Sequence, residues 1–131
     1  MNVPPDPRLD QKIANFLKAL QALDVSVLAP VQEARDLSGI IKDFEIAYEL
    51  SWKMLKAFLE KQGHMTGSAK DVFSKAFQLK FINDENVWID MIQDRNLAVR
   101  TYDQQLARRL VDHIRDRYVS AFKALGQAVP S

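Results

Sequence analysis

The sequence predicts an all-α chain: an antiparallel four-helix-bundle-like domain with one or two extra short helices. Apolar residues recur at three- and four-residue spacing along most of the chain, and no stretch alternates apolar and polar residues over the length of a strand. The connections between these helical patterns are short and rich in Pro, Gly, Asn and Asp. A chain of 131 residues buries roughly two-thirds of its unfolded surface, enough for a core without disulfides or metal. The expected organisation is a frayed tail over 1–7, one helical-bundle domain over 8–126 and a C-terminal tail over 127–131.

Asp6 followed by Pro7 offers an N-cap and a first helical residue, since the N–H that proline lacks has no intrahelical partner there. Ile13, Phe16, Leu17, Leu20 and Val27 then follow one stripe towards Pro30. A second pattern runs from about Val31 to Gln62, with Ile41, Phe44, Tyr48, Trp52, Leu55 and Leu59 on one face and Ile40, Ala47, Ser51 and Phe58 widening it. Ser38-Gly39 is a candidate interruption, and Gly63 followed by His-Met-Thr-Gly ends the segment. One chain hardly covers so broad an apolar face, so a homodimer packed partly on this helix is expected.

Ser68 with Asp71 has the form of a capping box, with Asp in place of the usual Glu or Gln, and opens a short helix carrying Val72, Phe73, Ala76 and Phe77. Asn83-Asp84 offers the next cap. Trp88, Met91, Ile92 and Val99 then fall within about 40° of a common direction at about 100° per residue. Asp103 caps a last helix striped by Leu106, Leu110, Ile114, Tyr118, Phe122 and Leu125, and Arg108, Arg109, Asp112, Arg115 and Asp116 read as its solvated side.

Composition excludes several function classes. Lys and Arg total 18 against 17 Asp and Glu, so no global field attracts nucleic acid or an anionic membrane, and any such binding needs a local patch. Cysteine is absent, which removes thiolate nucleophiles and cysteine metal sites and fits a reducing compartment. No apolar run approaches the roughly 18 residues of a membrane span, and MNVPPDPR lacks the apolar centre of a signal peptide, so the expected location is cytoplasmic. His64 in a loop and His113 on the last helix make neither a zinc pair nor a Ser-His-Asp set, and both read as ordinary surface or boundary residues. GxGxxG and GxxxxGK[ST] are missing, so autonomous nucleotide hydrolysis is not expected.

The stretch that stands out is RNLAVRTYD, Arg95 to Asp103. On a helical wheel Arg95 points within about 20° of Trp88, inside the apolar stripe, and Tyr102 lies about 40° to the same side. A guanidinium there keeps its charge and needs a carboxylate, a phosphate or water. Glu45 and Glu49, flanking the apolar face of the second helix, are the carboxylates in reach by pattern, so one reading of Arg95 is a structural ion pair that fixes helix register. The other is a site. Asn96 and Arg100, one turn apart, share a face able to meet a phosphate or an acidic partner, whereas Arg95 and Arg100 are about 140° apart and converge only at a helix end or across two chains.

With FEIAYELSWKMLKAFLEKQG, DVFSKAFQLKFINDENVWIDMIQDRN and TYD followed by an amphipathic helix, the sequence resembles the nucleotidyltransferase substrate-binding proteins of the HEPN superfamily, HepT-like, over roughly Leu9 to Leu125. The resemblance implies a four-helix-bundle-like fold, a homodimer and a separately encoded minimal nucleotidyltransferase as partner; the residues themselves lead us to expect no cofactor and no metal. Related pairs act as toxin and antitoxin. In the toxins an Arg, His, Tyr motif forms a ribonuclease site across the dimer, and the partner silences it by adding nucleotides to the tyrosine. On this sequence the motif's arginine falls at Arg95, its polar neighbour at Asn96 and its tyrosine at Tyr102, while Arg100 stands where the histidine is expected. Arginine neutralises phosphate but is a poor proton-transfer group, so the resemblance implies a partner subunit with absent or impaired RNase activity; the alternative is an active ribonuclease toxin acting on RNA through Arg95, Arg100 and Tyr102. A third reading is an all-α scaffold in which Arg95 is purely structural.

Overall fold

A computed structural model of the chain describes residues 6–98 and 103–129. Among the described residues all regular structure is helical: α1 (Pro7–Ser26), α2 (Ala34–Lys61), α3 (Ala69–Gln78), α4 (Glu85–Ala98), and α5 (Gln104–His113), which continues through a π-helical turn (Ile114–Tyr118) into α6 (Val119–Ala128). The fold is an antiparallel helical bundle of the four-helix type, in which α3 is the short extra element. Cross-helix pairs give the topology. Asp6 at the start of α1 meets Lys61 at the end of α2 at 3.2 Å, and Lys123 of α6 meets Asp24 near the end of α1 at 2.9 Å. No helix is long and apolar enough to cross a membrane among the described residues.

The helix starts follow local chemistry. Asp6 accepts from the backbone N–H groups of Arg8 and Leu9, and these bonds, with Lys61, hold its carboxyl below the usual carboxylate range. Ser68 and Asp71 close a reciprocal capping box on α3. Asp84 opens α4 and Asp103 opens α5, each accepting from the second and third N–H beyond it. α2 begins where Asp36 accepts from Gln32 and Glu33 N–H, and it runs unbroken through Ser38-Gly39. Gly39 lies on the exposed side, so its cost is only the roughly 1 kcal/mol of poor helix propensity, which the packed length of α2 offsets. Gly63, at φ 91°, ends α2, and Lys80 takes the corresponding left-handed position after α3 at φ 68° without glycine's freedom.

The last helix departs from the regular pattern. Its apolar stripe repeats every four residues from Leu106 to Phe122, which drifts about 40° per step on an α-helix. A π turn holds more residues than an α turn, and the one at Ile114–Tyr118 takes up this drift. Leu110, Ile114, Tyr118 and Phe122 consequently all face the core.

α1 ends at Ser26, short of Pro30, with no basic residue in its last turn. The missing cation comes from the other end of the chain: Arg115 Nε donates to the Val27 carbonyl at 3.1 Å and Nη2 to that of Ala29 at 2.9 Å. Arg115 lies on the exposed side, as expected, and also caps the end of α1.

The core is aromatic, with nearly every helix contributing a ring. Trp88 stands edge-on to Phe122 at 5.5 Å and 4.8 Å from Phe73, while Phe44 stacks on Tyr118 at 5.5 Å. Such pairs add about 0.5–1.5 kcal/mol each beyond burial alone. The buried face of α2 is centred on Phe44, Ala47, Ser51, Met54 and Phe58, leaving Ile41 and Trp52 at its edge. Gly126 brings α6 close to α1, where a Cβ would stand 3.2 Å from Leu17. α6 reaches Ala128, and Val129 beyond it is buried.

Candidate functional site

The last two turns of α4 carry polar groups to two sides at once. Consecutive helical residues project about 100° apart, so Asp94 and Arg95 engage different neighbours. Arg95 turns to α2, where its Nη2 lies 3.4 Å from Glu49 Oε1, both side chains about one-third exposed (32% and 33%). Its Nη1 reaches Asn96 Oδ1 at 3.5 Å, the outer limit of a hydrogen bond, and its buried Nε has no hydrogen-bond partner among the described residues. Glu49 also accepts from the Trp52 indole N–H at 3.3 Å and lies 3.6 Å from Lys53 Nζ. The carboxylate thus gathers a guanidinium, an ammonium and an indole, which explains why Trp52 sits at the edge of the core rather than within it. Glu45 forms no ion pair among the described residues. Beside the cluster, burial and the Glu49 charge push the Tyr48 hydroxyl up to about 12.

Asp94 turns to the other side. Its Oδ2 accepts from the Tyr118 hydroxyl and lies 2.8 Å from His113 Nδ1, and the His113 and Tyr118 rings meet edge-on at 6.2 Å. Burial, then the bond to Asp94 and its charge, raise Tyr118 far above an ordinary phenol. One turn back on α4, Asp90 meets Arg117 at 2.9 Å. These contacts fasten α4 to the π turn from Asp90 to Asp94. His113, which the sequence presents as an ordinary boundary residue, is half-buried and oriented by a carboxylate. Nothing local to residue 113 signals this; the four-residue stripe that forces the π turn is the trace it leaves in the sequence.

Next to this dyad lies a cavity of about 230 Å³ between α2, the end of α4 and α5. Ile41, Leu97, Leu106 and Leu110 make it largely apolar, and Asp94, His113 and Arg109 add polar groups. Leu97 and Asp103, which also line it, flank the segment 98–102 in sequence. Of the stretch RNLAVRTYD, the described part contains Arg95, Asn96 and Asp103; Val99, Arg100 and Tyr102 lie outside the described residues. Asn96 is exposed beside Arg95. Among the described residues no group of metal-ligating side chains is assembled.

The model of the family described as nucleotidyltransferase substrate binding protein like matches residues 11–130. Among curated proteins the chain is 31% identical over 96 residues to the probable ribonuclease HepT of Haemophilus influenzae, a match covering 70% of this chain and 66% of that protein, so just under two thirds of the relative's length is spanned. Among solved structures, a protein from Thermus thermophilus is 29% identical with a TM-score of 0.80, covering 88% of this chain and 99% of its own. A Haemophilus influenzae structure described as revealing the fold of a substrate-binding domain of a nucleotidyltransferase is 25% identical with a TM-score of 0.69, covering 91% and 96%. The tri-AMPylated Shewanella oneidensis HEPN toxin, solved in complex with its MNT antitoxin, has a TM-score of 0.77 at 17% identity over 95% and 97%, a likeness of fold.

Proposed function

The chain belongs to the nucleotidyltransferase substrate-binding protein-like family, and from that premise we propose that it is the HepT-like partner subunit of a separately encoded minimal nucleotidyltransferase, with absent or impaired RNase activity of its own. The observation that carries this reading is the state of Arg95. It is paired with Glu49 rather than presented as a free phosphate hook, and the position where proton transfer is expected holds Arg100. Tyr102 is the candidate nucleotidylation target, and Asn96 with Arg100 the candidate contact for the partner or a phosphate. The setting is cytoplasmic and the chain a homodimer. In support of the dimer, Ile46 on α2 is 44% exposed and Leu97 on α4 53% exposed, large apolar side chains on the two helices that carry the Glu49–Arg95 pair.

Co-expression with the neighbouring nucleotidyltransferase should yield a complex that survives size exclusion and, with ATP, a mass increase that Tyr102→Phe abolishes. Two independently eluting proteins would sink the proposal. The second reading, an active ribonuclease toxin, is favoured by the identity to a probable ribonuclease HepT. It requires that expression of the chain alone arrest growth and cleave RNA, with both effects lost in Arg95→Ala; intact RNA and normal growth exclude it.

A further inference from the structure

The cavity beside the Asp94–His113 dyad has room for a single large side chain, and we propose that it is a docking pocket for a tyrosine or tryptophan of the partner protein. Its volume of about 230 Å³ falls below the roughly 300 Å³ at which drug-sized pockets begin. A cavity of about 150 Å³ already holds benzene, so one phenol or indole ring fills this one. Ile41, Leu97, Leu106, Ala107 and Leu110 give it aliphatic walls.

The polar groups in the wall select among occupants. Two carboxylates line the cavity, and both are engaged: Asp94 accepts from the Tyr118 hydroxyl and lies against His113 Nδ1, and Asp103 accepts from the N–H groups of Gln105 and Leu106. Their charge opposes an anionic occupant, and their engagement leaves a cationic one poorly matched. A neutral occupant remains. A carboxylate only accepts, so the imidazole proton facing Asp94 sits on Nδ1; Nε2, across the ring and bonded by no described residue, is an acceptor in the neutral imidazole. It calls for one N–H or O–H donor on an apolar ring, which tyrosine and tryptophan carry and phenylalanine lacks. Arg109 also lines the cavity, is exposed and forms no ion pair among the described residues, so its guanidinium is available to the face of that ring. Buried aromatic anchors of this kind carry much of the energy of protein interfaces. Leu97 and Asp103 stand in sequence on either side of Arg100, beside the proposed partner contacts, which assigns the anchor to the nucleotidyltransferase. For that assignment the inference rests on the proposed partnership.

The test has two arms. In the first, the isotopically labelled full-length chain is titrated with p-cresol, indole and toluene and read by amide and imidazole resonances. The first two probes are expected to shift Ala107, Leu110 and His113 saturably at millimolar concentration, and toluene more weakly because it brings no donor to Nε2. In the second, affinity for the co-expressed nucleotidyltransferase is measured. Ala107→Leu fills the cavity and should weaken the complex about thirtyfold, the worth of one anchor side chain, with the helical circular dichroism unchanged. Arg109→Ala, at an exposed position that does not disturb folding, should weaken it about threefold. The inference is overturned if no probe causes a saturable shift, if toluene matches p-cresol, or if both variants bind the nucleotidyltransferase as tightly as the parent. Probes that bind while the complex is indifferent to both variants would give the cavity to a free aromatic molecule, and a change in the oligomeric state of isolated Ala107→Leu would give it to a second copy; either result overturns the docking assignment. A parent chain that forms no complex removes the partnership and this inference together, whereas a stable complex untouched by the variants removes this inference alone.

Discussion

Trp88 and Met91 on one side of α4 and Asp94 and Arg95 one turn later belong to the same helix, yet they are held by opposite kinds of chemistry. The first pair is buried in an aromatic core where shape and area decide the energy. The second forms a polar seam in which each charge is shared among several partners and partly wetted. The core tolerates no loss of volume, whereas around Glu49 the loss of one partner leaves others in place. Redundancy of this kind suits a helix end adjoining the segment proposed to meet another protein.

Trp88→Ala should cost the most, about 3–5 kcal/mol in urea unfolding, because it leaves Phe73 and Phe122 facing a void. A loss below about 1 kcal/mol would mean that the rings collapse into the space and that the core is looser than its packing implies. Asp94→Ala should come next, at about 1–3 kcal/mol, since it strands the buried Tyr118 hydroxyl without an acceptor.

The tyrosines give the same contrast a pH axis. Their hydroxyls titrate higher in the folded than in the unfolded chain, so the stability they contribute is complete below about pH 10 and is lost as pH rises towards the about 12 of Tyr48. Asp94→Asn removes one charge that opposes Tyr118 ionisation, so the melting temperature of this variant should fall less steeply above pH 10 than that of the parent. Parallel slopes would show that burial alone controls Tyr118.

Arg95→Ala should be the mildest, roughly 0.2–1 kcal/mol, because the pair is part-exposed and Glu49 keeps Lys53 and Trp52. A fully buried ion pair would lose about 3–5 kcal/mol on the same change. A melting temperature that falls as far as in Trp88→Ala would place Arg95 with the core instead.

Local chemistry made much of this legible in the sequence. The all-α class, the caps at Asp6, Ser68, Asp84 and Asp103, and the burial of Trp88 and Met91 each depend on residues within one or two turns. What could not be read was non-local. The buried face of α2 is rotated from the Trp52 side towards Met54 because of what packs on it, and Gly39 is carried inside a helix whose stability comes from its far side. Glu49 rather than Glu45 meets Arg95 because the approach of α4 to α2 decides between two carboxylates that the helical pattern leaves equivalent. The His113–Asp94 contact joins residues far apart in the chain and depends on a π turn that no single residue announces.

The Arg115 contacts with the Val27 and Ala29 carbonyls bear on how the molecule comes apart. The turn that follows the first helix is held by a side chain from within the last, so opening of the π-helical region removes two hydrogen bonds from the end of α1. Fraying of the two segments is then one event rather than two. In hydrogen exchange, the Val27 amide, which bonds back to Leu23, should share its protection with amides of the last helix and not with those of the helix it belongs to.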